Sequence, residues 1–276
     1  MNLVVQAPEL QKAQVGEIAR LAGTTRIETV SDRAYRLRGA VRNDAVGGYC
    51  GQRRIDYAWM PEGRRFAGLK LLAMDMDSTL ITIECIDELG DLAGKKTEIA
   101  AITARAMRGE IEYRESLLRR VAALAGLPEI SLEKVYEERL KLTPGAEVLI
   151  AACKGHGVDL LLVSGGFTFF TERLKARLGI DHTISNVLEV RSGKLTGALV
   201  GEIVDADAKA AKFRQVMTAS GAGKDQTLAI GDGANDLKMM KEAGISIAFR
   251  AKPVVQAQAT CAINWSGLDA VVNLLE

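Results

Sequence analysis

Hydrophobic positions follow three successive patterns along the chain. In residues 1–65, apolar stretches of strand length occur at 3–6, 26–30, 34–40 and 55–59. Residues 9–21 instead carry Leu10, Val15, Ile18 and Leu21 at helical spacing. A weaker helical stretch at 43–53 is interrupted by Gly47 and Gly48, which disfavour a helix interior. Ser31 and Asp32 supply a turn between the second and third strands. The resulting order, βαββαβ, is that of small ferredoxin-like α+β domains. Pro61-Glu-Gly-Arg-Arg65 reads as a linker.

Residues 84–142 change period. Helices are predicted over 84–92, 95–107, 113–124 and 132–140, separated by glycines and Pro128, with Ser131 as an N-cap of the last. Thr143-Pro144-Gly145 then restores alternation. Helices at 146–154, 167–178, 207–219, 235–243 and 268–275 are interleaved with apolar strands at 158–163, 227–230 and 245–249, and residues 188–200 read as a hairpin about Ser192-Gly193. Strand-helix alternation of this kind predicts a doubly wound α/β fold with a parallel sheet. Its first strand is residues 69–74, apolar throughout and so expected to be buried on both faces. The helical stretch interrupts the sheet after that strand and is a candidate lid. The expected partition is therefore 1–65, a core of 69–83 with 143–276, and an inserted helical cap of 84–142.

Composition narrows the function little. Of 276 residues 48% are hydrophobic and 26% charged, with a net charge of +1, which gives no electrostatic reason to expect nucleic acid or a membrane surface as a partner. The charge is uneven: residues 1–68 carry a net +4, ten of the eleven basic residues being arginine, and residues 69–276 a net −3. No apolar run approaches the ~20 residues of a membrane span, and the N-terminus lacks the basic and apolar regions of a signal peptide, so a cytoplasmic protein is expected. Cys50, Cys85, Cys153 and Cys261 form no C-x-x-C pair and read as free, buried thiols. His156 and His182 both lie in turn-like or loop settings, which argues against a serine-histidine triad.

The chemistry is carried by acids. The strand at 69–74 runs into Asp75-Met-Asp77-Ser-Thr79. Two carboxylates at the carboxyl end of a strand would lie in the crevice where open α/β sheets bind ligands. Burying both is costly, and a divalent cation would offset that cost. Ser164-Gly165-Gly166 follows a second core strand, where a hydroxyl and closely approaching backbone N–H groups suit an anion at a helix N-terminus; by itself this is also an ordinary N-cap and tight turn. Gly231-Asp232-Gly233-Ala-Asn235-Asp236 ends a third strand, and Asn235 and Asp236 open a helix. A dinucleotide fingerprint is excluded there because the third glycine is missing and the motif closes the sheet instead of opening it. Lys209, with Lys212 as its nearest rival, precedes this motif and is a candidate cation for these acids.

In this order the four signals resemble the motifs of the haloacid dehalogenase-like (HAD) phosphohydrolases. The resemblance implies that Asp75 is the nucleophile and Asp77 the general acid/base, and that Ser164, Gly165, Lys209 and Asn235 bind the substrate. It also implies Mg²⁺ on Asp75, Asp232 and the backbone carbonyl of Asp77, with Asp236 behind them. Within the family the chain is most similar to bacterial phosphoserine phosphatases. In that group an acid at the position of Glu84 pairs with the substrate ammonium, and an arginine at Arg120, or its neighbour Arg119, binds the carboxylate. Met107 and Tyr113 are expected on the lid side of the pocket. The implied reaction is Mg²⁺-dependent hydrolysis of O-phospho-L-serine, the last step of serine biosynthesis. A related phosphatase or phosphotransferase acting on another small phosphomonoester, and a non-enzymatic amino-acid sensor, are the alternatives. The N-terminal part resembles ACT-like modules, which bind an amino acid or support dimers. A merely structural module is an equal reading, and a homodimer stays open.

Overall fold

The computed structural model describes residues 1–276 and contains two sheets. The first is antiparallel, with strand order β2-β3-β1-β4. It is built from β1 (Asn2–Gln6), β2 (Ile27–Ser31), β3 (Ala34–Leu37) and β4 (Asp56–Met60). Helices α1 (Lys12–Leu21) and α2 (Asp44–Gln52) cover one face, burying Leu3, Val5 and Leu37 with Val15, Ile18, Val46 and Cys50. The α1 helix begins three residues later than the apolar pattern suggests. Asn43 caps α2 by accepting from the Ala45 N–H at 3.0 Å, which offsets the glycines within it.

The other face of this sheet is not free. Val4, Ala58 and Met60 join the main hydrophobic core. Asp56, 2% exposed, accepts from the N–H groups of Asn264 (2.6 Å), Trp265 (3.2 Å) and Ser266 (2.8 Å). Arg36 donates to the carbonyls of Asn273 and Leu275, and Gln6 to that of Ala270. The N-terminal sheet is thus packed between its own helices and the C-terminal segment of the chain.

The second sheet has seven strands, in the order β11-β10-β9-β5-β6-β7-β8. At its centre β5 (Leu71–Met74) is flanked by β6 (Asp159–Phe167) and β9 (Thr227–Gly231), both parallel to it. Outside β9 lie β10 (Ile245–Phe249) and β11 (Cys261–Ile263), also parallel. On the other side, β7 (His182–Arg191) runs parallel to β6 and turns into the antiparallel β8 (Lys194–Val200). This is the expected HAD-like α/β architecture, with one antiparallel edge strand.

Between β5 and β6 come the helices α3 (Cys85–Leu92), α4 (Lys96–Met107), α5 (Tyr113–Ala122) and α6 (Ile130–Lys134), the last continued by a wide turn to Arg139. The remaining helices are α7 (Ala146–Gly155), α8 (Thr168–Leu178), α9 (Ala206–Ala219), α10 (Leu237–Glu242), α11 (Pro253–Gln256) and α12 (Ala270–Leu274).

Several expectations need correction. Ser131 is no cap: it lies buried inside α6, which starts directly after Pro128-Glu129. His182 is not in a loop but opens β7, paired with Leu161. The hairpin arm is longer than the apolar pattern because its first half pairs parallel with β6. Ser164-Gly165-Gly166 belongs to a bulged end of β6, with the helix starting only at Thr168. All four cysteines are buried and unpaired. No helix is long and apolar enough to cross a membrane.

Candidate active site

Register brings the chemistry together. Met74 is paired with Leu162 on one side and Ile230 on the other, so the carboxyl ends of β5, β6 and β9 are level. Asp75, Ser164 and Asp232 follow within two residues of those pairs. The Asp75 N–H donates to the Ile230 carbonyl at 3.1 Å, which fixes the end of β5. The chain then makes one wide turn over Met76–Leu80, with Ser78 in the left-handed region at φ +55°.

Asp75 is 5% exposed. Its Oδ1 accepts from the Met76 N–H at 2.8 Å and pairs with Lys209 Nζ at 2.9 Å, while Oδ2 has no partner. Lys209 is fully buried in the first turn of α9, where Asp205 caps the helix through the N–H groups of Asp207 and Ala208. Its Nζ also pairs with Asp236 Oδ1 at 2.8 Å. The rival Lys212 points elsewhere and donates to Gln215. Asp236 Oδ2 accepts from the Gly233 N–H at 3.1 Å, so both of its oxygens are engaged. Gly231 must lack a side chain, because a Cβ there would strike the Asp236 carboxylate.

Asp77 is held differently. Its Oδ1 accepts from the Cys85 N–H at 2.8 Å, at the start of α3. Its Oδ2 faces Ser164 Oγ at 3.5 Å and lies against Gly166, where a Cβ would come within 2.6 Å of it. Ser164 Oγ accepts from the Gly166 N–H at 2.8 Å and donates its own proton towards Asp77 Oδ2 only over the long 3.5 Å. The phenol of Tyr113, from α5, rests on Gly165, so the glycine is needed where the helical insertion meets the core.

The electrostatics are those of a site short of positive charge. Burial, then Asp236, pushes the Asp75 carboxyl well above the usual range, against the pull of Lys209. Burial raises Asp77, and burial followed by Asp236 raises Asp232 to about 6. Burial alone would lower the Lys209 ammonium, but Asp236 and Asp75 outweigh it and the net shift is upward. One buried lysine therefore faces Asp75, Asp77, Asp232 and Asp236. Carboxylate oxygens of Asp75, Asp232 and Asp236 lie within 4.8 Å of one another. Since Asp236 is spent on Lys209 and Gly233, the oxygens left for a cation are those of Asp75 and Asp232. This all-oxygen donor set fits a hard divalent ion.

The helical insertion contributes Glu84, which precedes α3 and accepts from Ser78 Oγ at 2.7 Å. Its side chain keeps contact with solvent at the cleft. The surrounding protein and the nearby Asp77 nevertheless push its carboxyl up to about 8. Arg120 is half-buried, donates from Nε to the Ser116 carbonyl at 3.4 Å, and forms no ion pair. Arg119 is exposed and paired with Glu115, so Arg120 is the arginine left for a ligand. Asn235 is partly buried with its amide oxygen near Gly233 and no hydrogen-bond partner for its side chain. Met107, expected on the lid side of the pocket, is instead 62% exposed at the end of α4.

Two contributors have no signal in the sequence. Asn186, 1% exposed on β7, donates to the Gly165 carbonyl at 2.7 Å and accepts from the Val204 N–H at 2.8 Å. It ties the carboxyl end of β6 to the segment that leads into α9. Arg114 pairs with Asp205 at 3.2 Å, joining the helical insertion to the cap of the lysine-bearing helix. Neither residue belongs to a motif, and only the folded chain brings these partners together.

Comparison with known proteins agrees with this geometry. The model of the haloacid dehalogenase-like hydrolase family matches residues 72–241, and that of a domain of unknown function matches residues 3–46. A phosphoserine phosphatase from Polaromonas sp. is 52% identical over 217 residues, covering 77% of this chain and 92% of the relative. The unliganded crystal structure of a probable phosphoserine phosphatase from Vibrio cholerae superposes with a TM-score of 0.87 at 36% identity, over 99% of this chain and 86% of that one. A phospho-aspartyl intermediate analogue of phosphoserine phosphatase superposes with a TM-score of 0.71 at 38% identity, over 75% of this chain and 99% of that one. The chain belongs to the haloacid dehalogenase-like hydrolase family and, within it, to the phosphoserine phosphatases.

Proposed function

We propose that the protein hydrolyses O-phospho-L-serine to L-serine and phosphate through an aspartyl-phosphate on Asp75. The observation that carries this reading is the buried Asp75–Lys209–Asp236 chain, which fixes Asp75 Oδ1 and leaves Oδ2 unpartnered at the mouth of the sheet. A carboxylate held in this way is an oriented nucleophile.

In the first step Asp75 Oδ2 attacks phosphorus and the bond from phosphorus to the serine oxygen breaks. Asp77, its carboxyl raised by burial, gives its proton to that departing oxygen. In the second step Asp77 takes a proton from water, the water oxygen bonds to phosphorus, and Asp75 leaves as a free carboxylate. Ser164 and Lys209 donate to the phosphoryl oxygens, with Gly165 allowing close approach and Asn235 on the opposite side. Lys209 also screens the attacking carboxylate from the phosphate. The ion that suits the donor set is Mg²⁺, which Asp75, Asp232 and the Asp77 carbonyl would hold and which would supply positive charge to neutralise the phosphate. Asp236 orients Lys209 and the Gly233 turn.

Selectivity falls to Glu84 for the ammonium and Arg120 for the carboxylate, a pairing suited to a zwitterion. The inserted helices would exclude bulk water once substrate engages both. The testing experiment is phosphate release from phosphoserine, phosphothreonine, phosphoethanolamine and phosphoglycolate, with and without Mg²⁺. Phosphoserine with Mg²⁺ is expected to give the highest kcat/KM. Preference for a phosphomonoester lacking either the ammonium or the carboxylate would overturn the assignment.

A further inference from the structure

On the inserted helices, Asp87 has polar capacity that nothing in the fold uses. Asp87 lies in the first turn of α3, three residues after the N-cap Glu84. Its Oδ1 is buried and has no hydrogen-bond partner. An acid three residues after the start of a helix ordinarily reaches back to cap the first N–H groups. Here Asp87 makes no such bond; the Cys85 N–H donates to Asp77, and those of Asp87 and Glu88 donate to the Glu84 carbonyl. The neighbouring acids are also engaged: Glu84 with Ser78, Glu88 with Arg139.

Arg120 is the complementary case. It is half-buried on α5, its only hydrogen bond is the long one from Nε to Ser116, and its terminal guanidinium nitrogens have no partner. Ser116, one turn earlier, is 1% exposed and its hydroxyl is likewise unpartnered. Burial raises the Asp87 carboxyl, and Arg120 is the foremost charge pulling it back down, ahead of Lys96. Asp87 Oδ1 and the terminal guanidinium nitrogens of Arg120 are thus complementary groups that both lack a partner, and no ion pair joins them.

We propose that Asp87 is a positioning residue for Arg120: its carboxylate orients the guanidinium fork so that one edge stays turned into the cleft for the substrate carboxylate. The inference rests on the phosphoserine reading above. A long, flexible arginine loses side-chain entropy when it clamps a ligand, and a fixed acid behind it removes part of that loss before binding. Asp87 would then act only on ligands that carry a carboxylate. It would be indifferent to ligands with an ammonium alone, which separates it from Glu84.

The test compares Asp87→Asn, Asp87→Glu and the wild type on phosphoserine and on phosphoethanolamine, which lacks the carboxylate. Phosphoethanolamine is followed by turnover or, where turnover is slow, by its Ki against phosphoserine. Asp87→Asn is expected to raise KM for phosphoserine about tenfold with kcat changed less than threefold, and to leave phosphoethanolamine within twofold. Asp87→Glu should recover part of the loss. In an Arg120→Ala background, Asp87→Asn should have no further effect on phosphoserine. Equal losses on both ligands, or additive losses in the double variant, would overturn the proposal in favour of direct ammonium contact or a purely structural role. If the wild type does not turn over phosphoserine at all, it is the functional reading that fails, and that result is distinct from an unchanged selectivity ratio in Asp87→Asn.

Discussion

Replacing Lys209 by methionine isolates the element on which the site is built. Methionine keeps the length and apolar character of the lysine stem, so the change removes a charge without opening a large cavity. It leaves Asp75 and Asp236 facing each other, with carboxylate oxygens within 4.8 Å. Two unit charges at that distance repel by ~3.5 kcal/mol at an effective dielectric constant of ~20. This agrees with the ~3–5 kcal/mol found when one partner of a buried ion pair is removed. At ~2–4 °C per kcal/mol the midpoint of thermal unfolding should fall by about 7–14 °C at pH 8 in the presence of a chelator.

The pH dependence is the sharper part of that prediction. In Lys209→Met the Asp75 carboxyl, already raised by burial and by Asp236, loses the cation that pulls it down and rises further. A carboxyl raised in this way favours folding when protonated, and that contribution is lost as pH rises through the folded pKa. The deficit against wild type should therefore shrink markedly at pH 5.5. Adding Asp236→Asn should recover more than half of it at pH 8. Thermal scans at the two pH values provide the assay. A shift below about 2 °C at pH 8, or the same shift at both pH values, would refute the argument that Lys209 offsets the charge of the two acids.

Other expectations follow from the same geometry. Burial puts the Asp232 carboxyl at about 6 from an ordinary value of 3.8, so its protonated form favours folding and this contribution is lost as pH rises through about 6. A bound cation would replace that proton, and the gain in unfolding temperature on adding Mg²⁺ should be larger at pH 8 than at pH 5.5, as read by calorimetry. Desolvation by the surrounding protein, with Asp77 next, sets Glu84 at about 8, and the substrate ammonium requires the ionised form. KM for phosphoserine should therefore fall between pH 7 and 8.5 in the wild type and stay flat in Glu84→Gln. Asp56→Ala strands three buried N–H donors at the seam between the two sheets, and chemical denaturation should show a loss of about 3 kcal/mol with kcat little changed.

Much of the fold was legible because hydrophobic period and turn chemistry agree over most of its length. The βαββαβ order and the interruption of the sheet after β5 both follow from runs long enough to carry a period. β11 escaped because three residues, Cys261-Ala-Ile263, carry no period at all. The true start of α6 escaped because Ser131 is a good cap by type, whereas Pro128 had already set the boundary. At the site, residues in contiguous motifs were readable: Asp75, Asp77, Asp232 and Asp236 are held together by strand register. Lys209 and Arg120 were chosen over Lys212 and Arg119 by motif order and resemblance, and burial and pairing separate them physically. Asn186, Arg114 and Asp87 could not be found from sequence, since what distinguishes each is a partner, or the lack of one, that only the folded chain defines.

The claim on which everything else depends is that Asp75 itself carries the phosphoryl group. The direct measurement is to mix the protein with Mg²⁺ and phosphoserine labelled on phosphorus, quench in acid within the first turnover, and map the label by peptide mass spectrometry. The account predicts label on Asp75 at early times, lost on a chase with unlabelled substrate and absent in Asp75→Asn. Turnover with no acid-trapped label, label on Asp77, or full activity in Asp75→Asn would contradict it.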